Sequence, residues 1–391
     1  MILLNKIVNQ IYENIDYFRI NVPIDLEEYK KFTELSVFVE YLNKIRDKLN
    51  NPHVEAINEF ILSELNKVNS DIIFGNNYLP YHLVFPYFSI RRQFPIQRFE
   101  RYLDIVAKYR LFPPEIPPHR EMEWSHYCLK LNIIDRVKAP VNCILNQSNF
   151  LANFNRDLSY SFTHSLFYIY DFGFVSSRPL IPNFDSIKFQ TECLIFKSYD
   201  ENDIDILLEL FINYFSFYRF NDINLELLDV LESSIVKHNF LNFNWKEDGT
   251  MDKIYHSSLV LGILCCLLIE MSDSKNLSLS KRTKLARRIR RSSVFGSIFE
   301  NNLKNEADNF NVAVYKEYHA WQLIMKSTRK EFNVDDILEY LSKYKLCNDL
   351  SVQILNNLNL FKERNTLDIL FESEYRHLQV SQFNQDALKE E

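Results

Sequence analysis

Apolar residues recur every three or four positions through most of this chain, which is the period of a helix that buries one face. In NKIVNQIYENIDYF, Ile7, Ile11, Ile15 and Phe18 fall on that spacing. The same pattern predicts helices near 26–49, opened by Asp25 and Glu27, and near 53–68, after Pro52. Pro80, Pro86 and Pro95 interrupt it over 72–95, where YHLVFPYFSI reads as irregular or extended, and a helix resumes over PIQRFERYLDIVAKYRLF. Beyond it, helices are expected near 121–136, 140–150, 156–172, 184–197, 201–219, 223–238, 251–271, 278–300, 310–328, 334–345, 348–361 and 366–378. Asp248-Gly249 marks a turn before one of them, and Gly173 ends another in the C-cap role.

Four prolines within PPEIPPHR, at 113–120, cannot continue a helix and mark the expected internal boundary. An N-terminal helical segment over 1–112 is therefore expected, followed by a site-bearing domain over 113–391. The class is all-α. Helices alternating with short links, and no tetratricopeptide or ankyrin motif, fit an α/α-hairpin array, of which a closed α/α toroid is one form.

Composition removes several chemistries. The five glycines stand alone at 75, 173, 249, 262 and 296, so neither G-x-G-x-x-G nor a P-loop can be written, and nucleotides held by such loops are not expected. With 32 Phe and 22 Tyr, flat side chains must fill much of the interior. A formal charge of -7 argues against nucleic acid as the partner. No segment has the order of a signal peptide, and the longest apolar run, SSLVLGILCCLLIEM, falls short of a membrane span and reads as a core helix. The six cysteines form no C-x-x-C, so neither a zinc knuckle nor a disulfide framework is indicated, and a cytoplasmic location is expected. Cys265 and Cys266 read as small buried hydrophobes.

Four histidines share one kind of setting: EWSHYCLKL carries His126, FTHSLFYIY His164, IYHSSLVLG His256 and EYHAWQLIM His319, each in an apolar, aromatic-rich helix. In an array of hairpins, inner helices side by side would aim such residues into one cavity. Imidazole is the commonest metal ligand and an acid or base near neutral pH. A transition metal, zinc or iron, is the cofactor expected if all four ligate. The plainer reading of each is a core residue hydrogen-bonded to a carbonyl or tyrosine. Tyr160, His164, Tyr168 and Asp171 follow steps of four, four and three and so line one helical stripe, with Asp171 about 10 Å along the axis from His164. His164, Tyr168 and Asp171, with Asp248 on the loop before the third histidine, are the expected catalytic residues. Glu123, three before His126, has the spacing to orient its imidazole, or is a solvated first-turn residue. Tyr315, His319 and Gln322 share a face, with Trp321 beside them.

SKRTKLARRIRRSS concentrates cations in an acidic chain. Lys284 and Arg288 are four apart, as are Arg287 and Arg291, so these residues form a basic stripe for phosphates or an acidic peptide unless they are only a solvated face.

THSLFYIYDFG, read as H-x-x-F-Y-x-x-D-F-G, followed by DGTMDKIYHSSLVLG, resembles poorly characterised bacterial all-helical proteins, some associated with peptide or natural-product biosynthesis. The resemblance covers about residues 120–330 and implies roles for His164, Asp171, Asp248, Tyr255 and His256. The helical pairs are loosely similar to α/α-toroid enzymes such as lanthipeptide cyclases, whose glycine-rich zinc motifs are missing here. The expectation is a bacterial enzyme acting on a small molecule or peptide by acid-base or metal-assisted chemistry. The alternative is a helical protein that binds a peptide or partner protein.

Overall fold

The computed structural model describes residues 2–21, 26–68, 86–109, 117–137, 139–146, 155–175, 181, 184–219, 225–238, 245, 250–273 and 277–291. The four helices expected beyond residue 310 lie outside these, as do His319 and Asp248. The described residues are helical and include no strand. The chain separates into two compact units, Met1–Asn311 and Val312–Glu391. The boundary expected at 112/113 falls inside the first unit.

The helices are α1 (Ile2–Glu13), α2 (Leu26–Lys44), α3 (His53–Asn66), α4 (Gln97–Tyr109), α5 (Pro118–Lys130), α6 (Arg156–Tyr170), α7 (Phe184–Glu201), α8 (Ile204–Tyr218), α9 (Leu228–Lys237), α10 (Thr250–Asp273) and α11 (Leu279–Arg291). Local chemistry sets their ends. Pro118 sits in the first turn of α5, where a missing N–H costs nothing. Asn155 caps α6, its side chain accepting from the Leu158 amide, and Asp203 does the same for α8 through Ile206. Asn202 turns left-handed at φ 61, so the break expected between 197 and 201 falls at 202–203, between α7 and α8. The expected 140–150 helix is reduced, in its described part, to a 3-10 turn over Ile144–Asn146, where the Asn146 side chain donates to the Pro140 carbonyl.

Direction follows from which residues meet. His164 and His256 both meet Glu209. Farther along, a Cβ on Gly173 would strike Leu267 and Ser216, so α6, α8 and α10 run the same way. Lys31 meets Asp252, Glu34 meets His256, and Phe38 lies against Gly262, so α2 runs with α10. His119 meets His164 and His126 meets Asp171, so α5 runs with α6. Five helices thus follow side by side in the order α2, α10, α8, α6, α5, all parallel. Lys130 of α5 forms an ion pair with Glu40 of α2, joining the first to the last. The intervening α7 and α9 pack on α8, and α11 packs on α10.

The interior is mostly apolar, with a minority of buried polar and charged side chains such as Asn58, Glu64, Glu123, Glu209 and Asn213. Every residue of α8 from Ile206 to Tyr218 is buried. The Ile254–Ser272 stretch of α10 is long and apolar enough to cross a membrane, but 89% of it is buried, as in a core helix. Gly262 lets α2 approach: a Cβ there would stand 2.5 Å from Phe38 Cε2.

Candidate acid-base site

Glu209 is a lone carboxylate in the apolar run ILLELFI, and its side chain is 1% exposed. A buried carboxylate persists only with partners. Its Oε2 accepts from the Thr163 hydroxyl at 2.5 Å, while Oε1 lies 3.4 Å from both His164 Nε2 and His256 Nε2. On its other side, His256 Nδ1 is 3.3 Å from Glu34 Oε2. The Tyr255 hydroxyl also bonds Glu34. The ring of His119, in the first turn of α5, stands 6.0 Å from that of His164 in an edge-to-face arrangement. Each of the five parallel helices therefore contributes a His or Glu side chain, Glu34, His256, Glu209, His164 and His119, and α10 adds Tyr255. The His164 and His256 side chains are 22% and 24% exposed, so both imidazoles can be reached from outside the core.

The charges sort themselves. Burial would raise the Glu209 carboxyl, but the adjacent His164 charge and hydrogen bonds from both histidines outweigh it and hold it at about 2. Burial would lower His256, yet Glu209 and Glu34 lift it to about 10, so at neutral pH it is an imidazolium shared by two carboxylates. Glu34 is lowered in turn: burial opposes ionisation, and His256 overcomes it. Burial, then the charges of His164 and Arg120, push His119 down to about 4, and Glu123 offsets part of this. At pH 7 the site holds one fixed cation and one fixed neutral imidazole.

A second cluster occupies the opposite ends of α2, α5 and α6. The chain leaves α6 through three consecutive left-handed residues: Asp171 (φ 46), Phe172 (φ 51) and Gly173 (φ 86). Asp171, not Gly173, is the C-cap of α6. This turn carries Asp171 away from the His164 stripe. Its Oδ1 accepts from Tyr41 at 2.8 Å and Oδ2 from Lys44 at 2.7 Å, and Lys130 lies 3.5 Å away. His126 joins it: Nδ1 lies 3.1 Å from the Tyr168 carbonyl and Nε2 is 3.3 Å from Asp171, out of line for a hydrogen bond. Burial would raise Asp171, but Lys130 and Lys44 hold it well below the usual carboxylate range.

Of the expected site residues, the structure brings His164 and His256 together through Glu209, and places His126 and Asp171 in the second cluster. Tyr168 is buried between the two, its ring 6.4 Å from His164 and 5.9 Å from His126. Its hydroxyl bonds Glu123, and burial, then the Glu123 charge, raises it well above its ordinary value. Glu123 itself pairs with Arg120 at 2.6 Å. Among the described residues, no three His, Cys, Asp or Glu side chains converge so as to hold a metal ion. In the basic stripe, Lys284 and Arg287 are exposed, Arg288 forms an ion pair with Asp229, and Arg291 ends α11.

Glu209, Glu34 and His119 were not expected from the sequence. Glu209 had a legible signal, since every residue within three positions of it is apolar. Glu34 sits in a helix of ordinary mixed pattern, and His119 among prolines.

Fold and site together define an all-α protein of parallel neighbouring helices with a buried carboxylate between two imidazoles. Residues 6–217, more than half of the chain, match the family described as a domain of unknown function, DUF6895, and the chain belongs to that family. The match contains Glu34, His119, His164 and Glu209, while His256 follows it. No curated protein and no solved structure matches the chain.

Proposed function

We propose that the chain is an enzyme that performs acid-base chemistry on a small molecule or peptide at His164, Glu209 and His256. The observation that carries this reading is the meeting of a His or Glu side chain from each of five parallel helices around the buried Glu209, with His164 and His256 partly exposed. A carboxylate 3.4 Å from His164 Nε2 fixes the orientation of the ring, the positioning a general acid or base needs. Glu209 is held ionised by His164 first and then by His256, and His256 is held cationic by Glu209 and Glu34, so the carboxylate behind His164 keeps a charged partner through turnover. Asp171 and Tyr168 act at one remove, fixing the end of α6 on which His164 is carried. Five buried free thiols, Cys128, Cys143, Cys193, Cys265 and Cys266, fit the reducing compartment expected from the sequence.

The test is turnover without a presumed substrate. A bacterial metabolite and peptide extract is incubated with the protein and followed by untargeted mass spectrometry. Masses should appear and disappear with the wild type, and the change should fall at least about 100-fold with His164→Gln and Glu209→Gln, the usual contribution of a positioned acid or base. Equal conversion by these variants, checked for native circular dichroism, would overturn the reading. An extract left unchanged by the wild type would favour the binding protein instead, with Lys284 and Arg287 as its exposed anion-facing residues.

A further inference from the structure

His119 stands apart from the other histidines in what surrounds it. His164 has the Glu209 carboxylate 3.4 Å from Nε2, and His256 is held between two carboxylates. The first turn of α5 places the cationic Arg120 beside His119, and Glu123, the carboxylate of the next turn, is engaged by Arg120 at 2.6 Å. Its ring meets the His164 ring at 6.0 Å and 68°, edge to face. From α6, Tyr160 lies 5.8 Å from the same His164 ring. Two imidazoles therefore face each other, a carboxylate behind only one.

We propose that His119 is a further catalytic residue, the proton acceptor opposite the proton donor His164. The substrate class is then a molecule whose reaction removes a proton from one atom and adds one to another a few ångströms away, as in isomerisation or elimination. This rests on the acid-base reading above and assigns its roles. In the step, His119 takes a substrate proton on its free ring nitrogen. The electron pair of the broken bond moves into the substrate, and the His164 imidazolium delivers its proton to the atom where that pair arrives. Substrate protons balance, the site gains no charge, and exchange with water resets the pair. The asymmetry needs no external oxidant or cofactor.

The groups facing His119 are His164 from α6 and Arg120 and Glu123 from its own helix. Burial, then repulsion from His164 and Arg120, keeps it neutral down to about pH 4, so it is a competent acceptor across the physiological range.

The first experiment needs no substrate. Diethyl pyrocarbonate acylates only neutral imidazole, so full-length wild-type protein is treated at pH 5.5 and at pH 8 and mapped by peptide mass spectrometry. His119 should be modified at nearly equal rates at both, whereas an ordinary histidine slows about tenfold at pH 5.5. A tenfold fall at His119 would overturn the assignment. In the extract assay, His119→Gln should lower kcat/KM at least about 100-fold and remove the acidic limb of the wild-type pH profile. Wild-type turnover with that limb intact in His119→Gln would sink the His119 role and leave the His164 reading standing. Loss of both readings would instead show as conversion indifferent to His164→Gln.

Discussion

Gly173 stands where no side chain fits. Its φ of +86 is left-handed, and a Cβ would lie 2.6 and 2.8 Å from the two Leu267 methyls and 2.9 Å from Ser216 Oγ. Strain and overpacking of this kind each cost about 1–3 kcal/mol, so Gly173→Ala should destabilise the protein by roughly 3 kcal/mol in urea unfolding. A loss below about 0.5 kcal/mol would mean that the turn is not closed as described. The turn also explains why one expectation from the sequence failed in part. Counting seven residues from His164 put Asp171 on the same helical face, but Asp171 and Phe172 both take φ near 50° and leave the helix. Non-glycine residues at positive φ are held by their surroundings, here Tyr41, Lys44 and Lys130, none of which is near Asp171 in sequence. The histidines were legible because imidazole is conspicuous in an apolar helix. Their carboxylate partners were not, because Glu in a helix is ordinarily a solvated residue.

At the scale of the helices, periodicity located most described elements; the left-handed Asn202 moves the expected break between α7 and α8 by a few residues, and the Asn146-to-Pro140 bond accompanies a turn where a helix was expected. What periodicity does not carry is the contact between helices, and the site depends on one such contact. α2 brings Glu34 to His256 because Gly262 leaves room for Phe38 four residues farther along α2. Gly262→Ala would place a Cβ 2.5 Å from the Phe38 ring and push α2 away from α10. With Glu34 withdrawn, His256 should titrate nearer its ordinary value of about 6.5 instead of about 10, as followed by NMR of the ring protons. Phe38→Leu in the same chain should restore the approach and raise the value again. If Gly262→Ala leaves the His256 titration unchanged, the α2–α10 contact does not set the charge of the site.

For the molecule as a whole, the buried charges define a pH window of stability. His256 is raised in the folded state, so its contribution is complete below its unfolded value of about 6.5 and is lost as pH rises through about 10. Glu209 is depressed, so its contribution is present above about 4.5 and is lost as pH falls through about 2. His119 is also depressed: the folded state resists its protonation, and stability declines as pH falls from about 6.5 through about 4. The three overlap to give a maximum near pH 6–7. Because His256 and Glu209 support each other, removing one leaves the other buried with fewer partners. His256→Gln should therefore cost roughly 3–5 kcal/mol at pH 6, the range for breaking a buried ion pair. The same substitution should cost progressively less between pH 7 and pH 10, since the wild type loses its imidazolium there while the variant has none to lose. A difference in unfolding free energy that stays constant from pH 6 to pH 10 would mean that His256 is not cationic in the fold. The ionised Glu209 would then rest on His164 and the Thr163 hydroxyl alone, and the carboxylate proposed to stand behind His164 would lose its second charged partner.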